Sequence, residues 1–112
     1  MSLCDLFHHK NLYYVVMEYC NGGSVVELIN KINPKSEVII ANIMRQLLRA
    51  LSYLHSLNII HRDIKLENIV FLNGDHSDCI PIKIIDFGAA VKSELRVVQN
   101  YPIAGTLTYL AP

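Results

Sequence analysis

The chain has 112 residues, and ten lysines and arginines balance ten aspartates and glutamates, so its formal charge is zero. That length holds one domain or part of one, and the balance excludes a global basic field for nucleic acid or a membrane surface. Three scattered cysteines, Cys4, Cys20 and Cys79, offer no zinc cluster and suit a reducing, cytoplasmic setting. The first residues do not read as a secretory signal, and the longest apolar run, Leu12 to Met17, is too short to span a bilayer. At 52% hydrophobic residues and a mean hydropathy of +0.29, the chain is more apolar than a domain this small needs. Central strands and a buried helix cut from a larger domain would have this composition.

Leu12 to Tyr19 is rich in aromatic and β-branched residues and reads as a buried strand, ended by a turn at Asn21-Gly22-Gly23-Ser24. Val25 to Lys31 reads as a short helix with Ser24 as its N-cap and Glu27 at its third position, and Asn33-Pro34 breaks it. Ser36 caps a long second helix. Its apolar residues Val38, Ile39, Ile40, Ile43, Met44, Leu47, Leu48, Leu51 and Leu54 fall at helical spacing, so it reads as a core helix with no site on it. Short β-like runs follow at Ile59-Ile60, Ile69 to Leu72 and Ile82 to Ile85. Asn73-Gly74-Asp75 supplies a turn signal between the last two. From Ala89 to Pro112 the periodicity weakens, as in a long functional loop.

Two clusters carry chemistry. The first is His61-Arg62-Asp63-Ile64-Lys65-Leu66-Glu67-Asn68, and the second, Asp86-Phe87-Gly88, begins eighteen residues after Asn68. Asp63 alone would be an ordinary turn carboxylate and Asn68 an ordinary turn amide. Together they suit phosphoryl transfer. A carboxylate at Asp63 orients an attacking hydroxyl and takes its proton, and Lys65 stabilises charge on the phosphoryl oxygens. Asn68 and Asp86 offer oxygen ligands to magnesium. A hairpin of near-equal arms, Ile69 to Leu72 and Ile82 to Ile85, would return Asp86 beside Asn68. Small-molecule phosphotransferases use a related Asp-to-Asn spacing and are the neighbouring class. The intact His-Arg-Asp and Asp-Phe-Gly triplets and the C-terminal segment argue against them.

These motifs resemble the catalytic and metal-binding loops of eukaryotic serine/threonine protein kinases, and the resemblance runs from about Leu12 to Pro112. It implies an α+β, protein-kinase-like fragment: a hinge strand plus the helical C-lobe core with its catalytic-loop hairpin. Residues 1–23 would end the N-lobe and form the hinge, and residues 24–112 would be the first part of the C-lobe through the activation segment. It further implies ATP and Mg2+ as cofactors and a protein substrate with a Ser or Thr acceptor. By the same resemblance Met17 is the gatekeeper, Glu18 and Cys20 present backbone atoms to adenine, and Ser24 lies near the ribose. Val70 lies under the adenine, and Ile85 precedes the metal aspartate. Thr106 bridges Asp63 and Lys65, which with Lys65 itself is the serine/threonine pattern, and Glu67 favours a basic residue before the acceptor. His61 ties the catalytic loop to Phe87 next to Gly88, and Arg62 would meet a phosphate on the activation segment.

The sequence around Asn68 and Phe71 is most similar to the calcium/calmodulin-dependent and calcium-dependent kinase group. No Asp-x-Asp-x-Asp-Gly loop occurs, so calcium or calmodulin would act through regions not present. Two departures stand out. Leu66 replaces the usual proline or glycine, and Pro102 occupies the usual phosphothreonine position three residues before Gly105. No Gly-x-Gly-x-x-Gly or Val-Ala-x-Lys precedes the hinge, so the isolated chain is expected to have little or no activity. The alternative is a non-catalytic, truncated kinase-like interaction module or a pseudogene product.

Overall fold

A computed structural model describes residues 2–31, 37–74, 81–93 and 102–110. The chain opens with an antiparallel hairpin of β1 (Leu3–His9) and β2 (Leu12–Met17), in a register that sets Phe7 against Tyr14. Lys10 and Asn11 at its tip have φ of 48° and 63°, the left-handed pair that a two-residue hairpin turn of matching twist requires. The Phe7 and Tyr14 rings stack with centroids 5.0 Å apart. The sequence did not announce β1, because Leu-Cys-Asp-Leu-Phe-His-His has no β-branched residue. The expectation of a buried strand at Leu12 to Tyr19 is corrected in two ways. The strand stops at Met17, and every residue of it is exposed, because among the described residues no layer covers either face of the two-stranded sheet.

Past β2 the chain crosses to the rest of the molecule. Asn21 and Gly22 donate to the carbonyls of Leu72 and Phe71 at 3.3 and 3.2 Å, and Phe71 donates to Gly23 at 2.9 Å. The segment read as a turn bends at Gly22 and is left-handed at Gly23, with φ 77°, and its backbone bonds alongside residues 71–72. A Cβ at Gly22 would run into the Asn73 carbonyl and Phe71 Cβ, so this close approach needs glycine. Ser24 then caps α1 (Val25–Lys31), its Oγ accepting from the Glu27 N–H at 3.3 Å.

The long helix α2 (Glu37–Ser56) buries Ile43 and Leu47 and half-buries Ile39, Ala50, Leu51 and Leu54. Val38, Ile40, Met44 and Leu48 are exposed, so α2 is a core helix on one face only. Its apolar stripe is wider than the described layer that meets it. Ser36, Asn33 and Pro34 lie outside the described residues.

After α2 come β3 (Ile59–Ile60), β4 (Ile69–Phe71), β5 (Ile82–Ile84) and β6 (Val91–Lys92). β4 pairs with β5 so that Val70 faces Lys83, and β6 returns antiparallel to β3. The arms are each one residue shorter than the sequence suggested, although the Ile85 N–H still reaches the Asn68 carbonyl at 2.9 Å. Asp75, in the turn, lies outside the described residues. One cluster of Val25, Leu28, Ile43, Leu47, Ile69, Phe71 and Ile84 forms the core between α1, α2 and the β4–β5 hairpin. Phe71 is 2% exposed, and Phe71→Ala is expected to cost about 3–5 kcal/mol in urea denaturation. Tyr19→Ala, at a side chain 84% exposed, should shift stability by no more than about 0.5 kcal/mol.

Candidate active site

β3 delivers the chain into a loop whose first side chain is fully packed. His61 is 2% exposed, and its ring meets Phe87 edge-on at 4.7 Å. The Asp63 N–H donates to His61 Nδ1 at 3.3 Å, which leaves Nε2 to carry the proton and donate to the Ile85 carbonyl at 3.1 Å. One imidazole thereby joins the loop to the strand end that precedes Asp86. Arg62 follows in the left-handed region at φ 68°. Its Nε donates to the Ala89 carbonyl at 2.6 Å and its Nη1 to the Pro102 carbonyl at 3.2 Å. The guanidinium therefore ties Ala89 to Pro102.

Asp63 is the centre of a charged network. Its Oδ1 accepts from the Thr106 hydroxyl at 2.7 Å, and its Oδ2 accepts from Lys65 Nζ at 2.8 Å and Asn68 Nδ2 at 3.1 Å. Lys65 Nζ also donates to Thr106 Oγ1 at 2.9 Å, so the hydroxyl accepts from the ammonium while it donates to the carboxylate. Hydrogen bonds from Lys65 first and Thr106 second hold the Asp63 carboxyl at about 2, below its ordinary 3.8. The same contact with Asp63 raises Lys65 against the opposing effect of desolvation. Gly105 has φ +119°, and a Cβ there would sit 2.6 Å from the Arg62 carbonyl, so glycine lets Thr106 reach the loop.

Asn68 is buried at the end of a short 3-10 turn, Leu66–Asn68. Its amide nitrogen is committed to Asp63, through Oδ2 and through the Asp63 carbonyl at 2.9 Å, which fixes the amide and turns its carbonyl oxygen the other way. Asp86 is exposed, with φ 60° and Oδ1 accepting from the Gly88 N–H at 3.2 Å. The bond from the Ile85 N–H to the Asn68 carbonyl brings the two together, and Asp86 also contributes to raising Lys65. A neutral amide oxygen and a carboxylate are the hard donors that suit magnesium held jointly with phosphates.

The other candidate residues divide by position. Val70 lies in the middle of β4, between Lys83 on one edge and Ser24 on the other. Met17 is exposed at the end of β2, and the Glu18 N–H still pairs with the Ser2 carbonyl at 3.0 Å. Cys20 is half-buried in the crossing segment, and the Ser24 hydroxyl is engaged as the α1 cap. Glu67 is exposed, and its charge adds to the effect that raises Lys65. Sequence reasoning missed the carbonyls of Ala89 and Pro102 and the ion pair of Lys83 with Glu18 at 3.1 Å. The proline at 102 was the one available cue to the first.

The protein kinase domain family matches the chain over residues 1–112. Calcium-dependent protein kinase 6 of Plasmodium berghei (strain Anka) is 40% identical over 112 residues, all of this chain and 7% of that protein. Calcium-dependent protein kinase 5 of the same organism is 40% identical over 115 aligned residues, and its namesake in Plasmodium falciparum (isolate 3D7) is 37% identical; each match covers all of this chain and 19% of the relative. The chain thus spans 7% to 19% of the length of these relatives.

The depressed Asp63 value fixes a pH window. A carboxyl lowered on folding contributes stability above its ordinary 3.8, and that contribution is lost as pH falls toward about 2. Thr106→Val is expected to move the Asp63 carboxyl-carbon NMR titration upward, and Lys65→Met to move it further. Titrations that stay in place in both variants would contradict the network.

Proposed function

This chain belongs to the protein kinase domain family, and on that footing we propose that it forms the phosphoryl-transfer centre of a serine/threonine protein kinase. The observation that carries the reading is the Asp63 carboxylate, ionised and held by Lys65, Asn68 and Thr106 at the head of the loop. Protein kinases use ATP with magnesium, which supply the γ-phosphoryl group and the charge that screens its oxygens. Asp63 orients the acceptor hydroxyl of a protein serine or threonine and receives its proton. A carboxylate this acidic is a weak base, which suits a loose transition state in which the proton moves late.

Lys65 would place its ammonium beside the transferring oxygens, and Asn68 and Asp86 would hold the metal, which supplies charge to screen those oxygens. Met17, Glu18, Cys20 and Ser24 on one side and Val70 and Ile85 on the other would enclose the nucleotide. The bridging Thr106 and the position of Lys65 support serine/threonine rather than tyrosine specificity. Calcium control, for which the matched relatives are named, would enter through segments outside these residues.

In the complete protein, with ATP, magnesium and a serine/threonine acceptor protein, Asp63→Asn is expected to lower kcat by about 10²–10⁴-fold. Undiminished turnover in that variant would sink the assignment. A folded wild type that phosphorylates nothing would favour the non-catalytic module.

Activity should also not depend on the usual single threonine phosphorylation of the activation segment. Arg62 already clasps backbone carbonyls, and Pro102 stands where the phosphoacceptor would be. Tyr101, which lies outside the described residues, and Thr108 are nearby hydroxyls. Tyr101→Phe with Thr108→Ala is expected to keep kcat within about twofold, a surface-like effect. A large loss would reverse that conclusion.

A further inference from the structure

Among the described residues, few polar contacts join the hairpin β1–β2 to the core. The last bond of the hairpin runs from the Glu18 N–H to Ser2, and the first bond of the crossing segment to the core runs from Asn21 to Leu72. Tyr19 and Cys20 lie between them, and Tyr19 is 84% exposed. Both strands of the hairpin are exposed throughout. Among the described residues, one side-chain ion pair spans the joint: Lys83 Nζ lies 3.1 Å from Glu18 Oε2.

The position of each partner gives this pair its meaning. Lys83 is the middle residue of β5, three residues before Asp86. Ile84 of β5 is buried in the core, so by strand alternation Lys83 rises from the opposite face, beside its register partner Val70. Glu18 stands where the hairpin ends. Its Oε2 also accepts from the Ser2 N–H at 3.3 Å, so a single carboxylate oxygen gathers the start of the hairpin, its end and β5. Both side chains are only about a quarter exposed, at 25% for Lys83 and 27% for Glu18. The Lys83 contact is the leading cause that holds the Glu18 carboxyl below its ordinary value. A surface ion pair between two fixed strands would be of little consequence. Here the pair joins two bodies across a two-residue link, so it biases their relative angle.

We propose that Lys83 is a positioning residue, whose ion pair with Glu18 latches the hairpin onto the strand leading to Asp86 and sets how segment 17–24 meets Val70. The consequence for nucleotide rests on the kinase reading above; the latch itself does not. When the latch opens, the closed arrangement is less populated, and apparent nucleotide affinity falls by the same fraction.

The test is a double-mutant cycle in the complete protein, with Lys83→Met, Glu18→Gln and the pair together. It is read by amide hydrogen exchange at Glu18 and Asn21 and by calorimetric binding of ATP with magnesium. Each single variant is expected to speed exchange about two- to fivefold, the range of a part-exposed ion pair, and to weaken binding by a similar factor. The double variant should match the singles, because one broken partner already opens the latch. Raising salt from 50 to 500 mM should speed exchange in the wild type and not in Lys83→Met. Lys83→Arg, which keeps the charge, should stay within about twofold of the wild type and guards against a trivial loss of fold. Single variants that exchange like the wild type, or a double variant whose effect is the product of the singles, would overturn the latch. A wild type that binds no ATP would bring down the kinase reading, while the exchange cycle would still decide the latch.

Discussion

The site is organised by the need to keep one carboxylate ionised in a part-buried loop. Asp63 cannot sit there uncompensated, and three donors answer it from three places in the chain: Lys65 two residues on, Asn68 at the end of the 3-10 turn, and Thr106 from the distant C-terminal segment. Each donor is drawn into position by the same charge. The fold of the loop, the approach of the distant segment and the acidity of Asp63 are therefore one electrostatic arrangement. Removing the charge would leave Lys65 and Thr106 without their shared acceptor.

What makes that arrangement rigid is β4. Its residues are hydrogen-bonded to β5 on one edge and approached by the crossing segment on the other. Ile69 and Phe71 drive into the core, while Val70 faces the opposite way. Asn68 stands at the head of this strand and Ile85 at the foot of its partner, so the hydrophobic core fixes the separation of the two metal-ligand candidates. His61 adds a second tie from the loop to Ile85. A packing defect under Phe71 would thus reach the chemistry without touching a polar residue.

The legible and illegible parts of the sequence divide along physical lines. Octapeptide and triplet were readable because they place unusual side-chain chemistry at fixed spacing, and α2 because its period is long. The kinase family match spans the whole chain, these residues included. The strand β1 was silent, since its pairing is set by Lys10 and Asn11 at the turn rather than by its own composition. Contacts that use backbone carbonyls, such as those of Arg62 with Ala89 and Pro102, leave no side-chain signature on the accepting partner. The ion pair of Glu18 with Lys83 was hidden for another reason: only the fold brings those residues together.

Burial was the property most misjudged, and the misjudgement is instructive. Sequence hydrophobicity reports what a residue favours being covered by, and it does not say which atoms cover it. Among the described residues the buried core uses seven apolar residues, while Leu6, Phe7, Val15 and Val16 of the hairpin and Ile40, Met44 and Leu48 of α2 remain exposed. The surplus hydrophobicity noted in the composition therefore stays largely at the surface, on the hairpin and the outer face of α2 and also at Ile103 and Leu107 of the C-terminal segment. On the hairpin this has a mechanical effect. A sheet that, among the described residues, has no second layer on either face is oriented by its covalent link and by the polar contacts that cross the joint. An ion pair that would be marginal inside a well-packed domain gains leverage there, because few other contacts compete to set the angle.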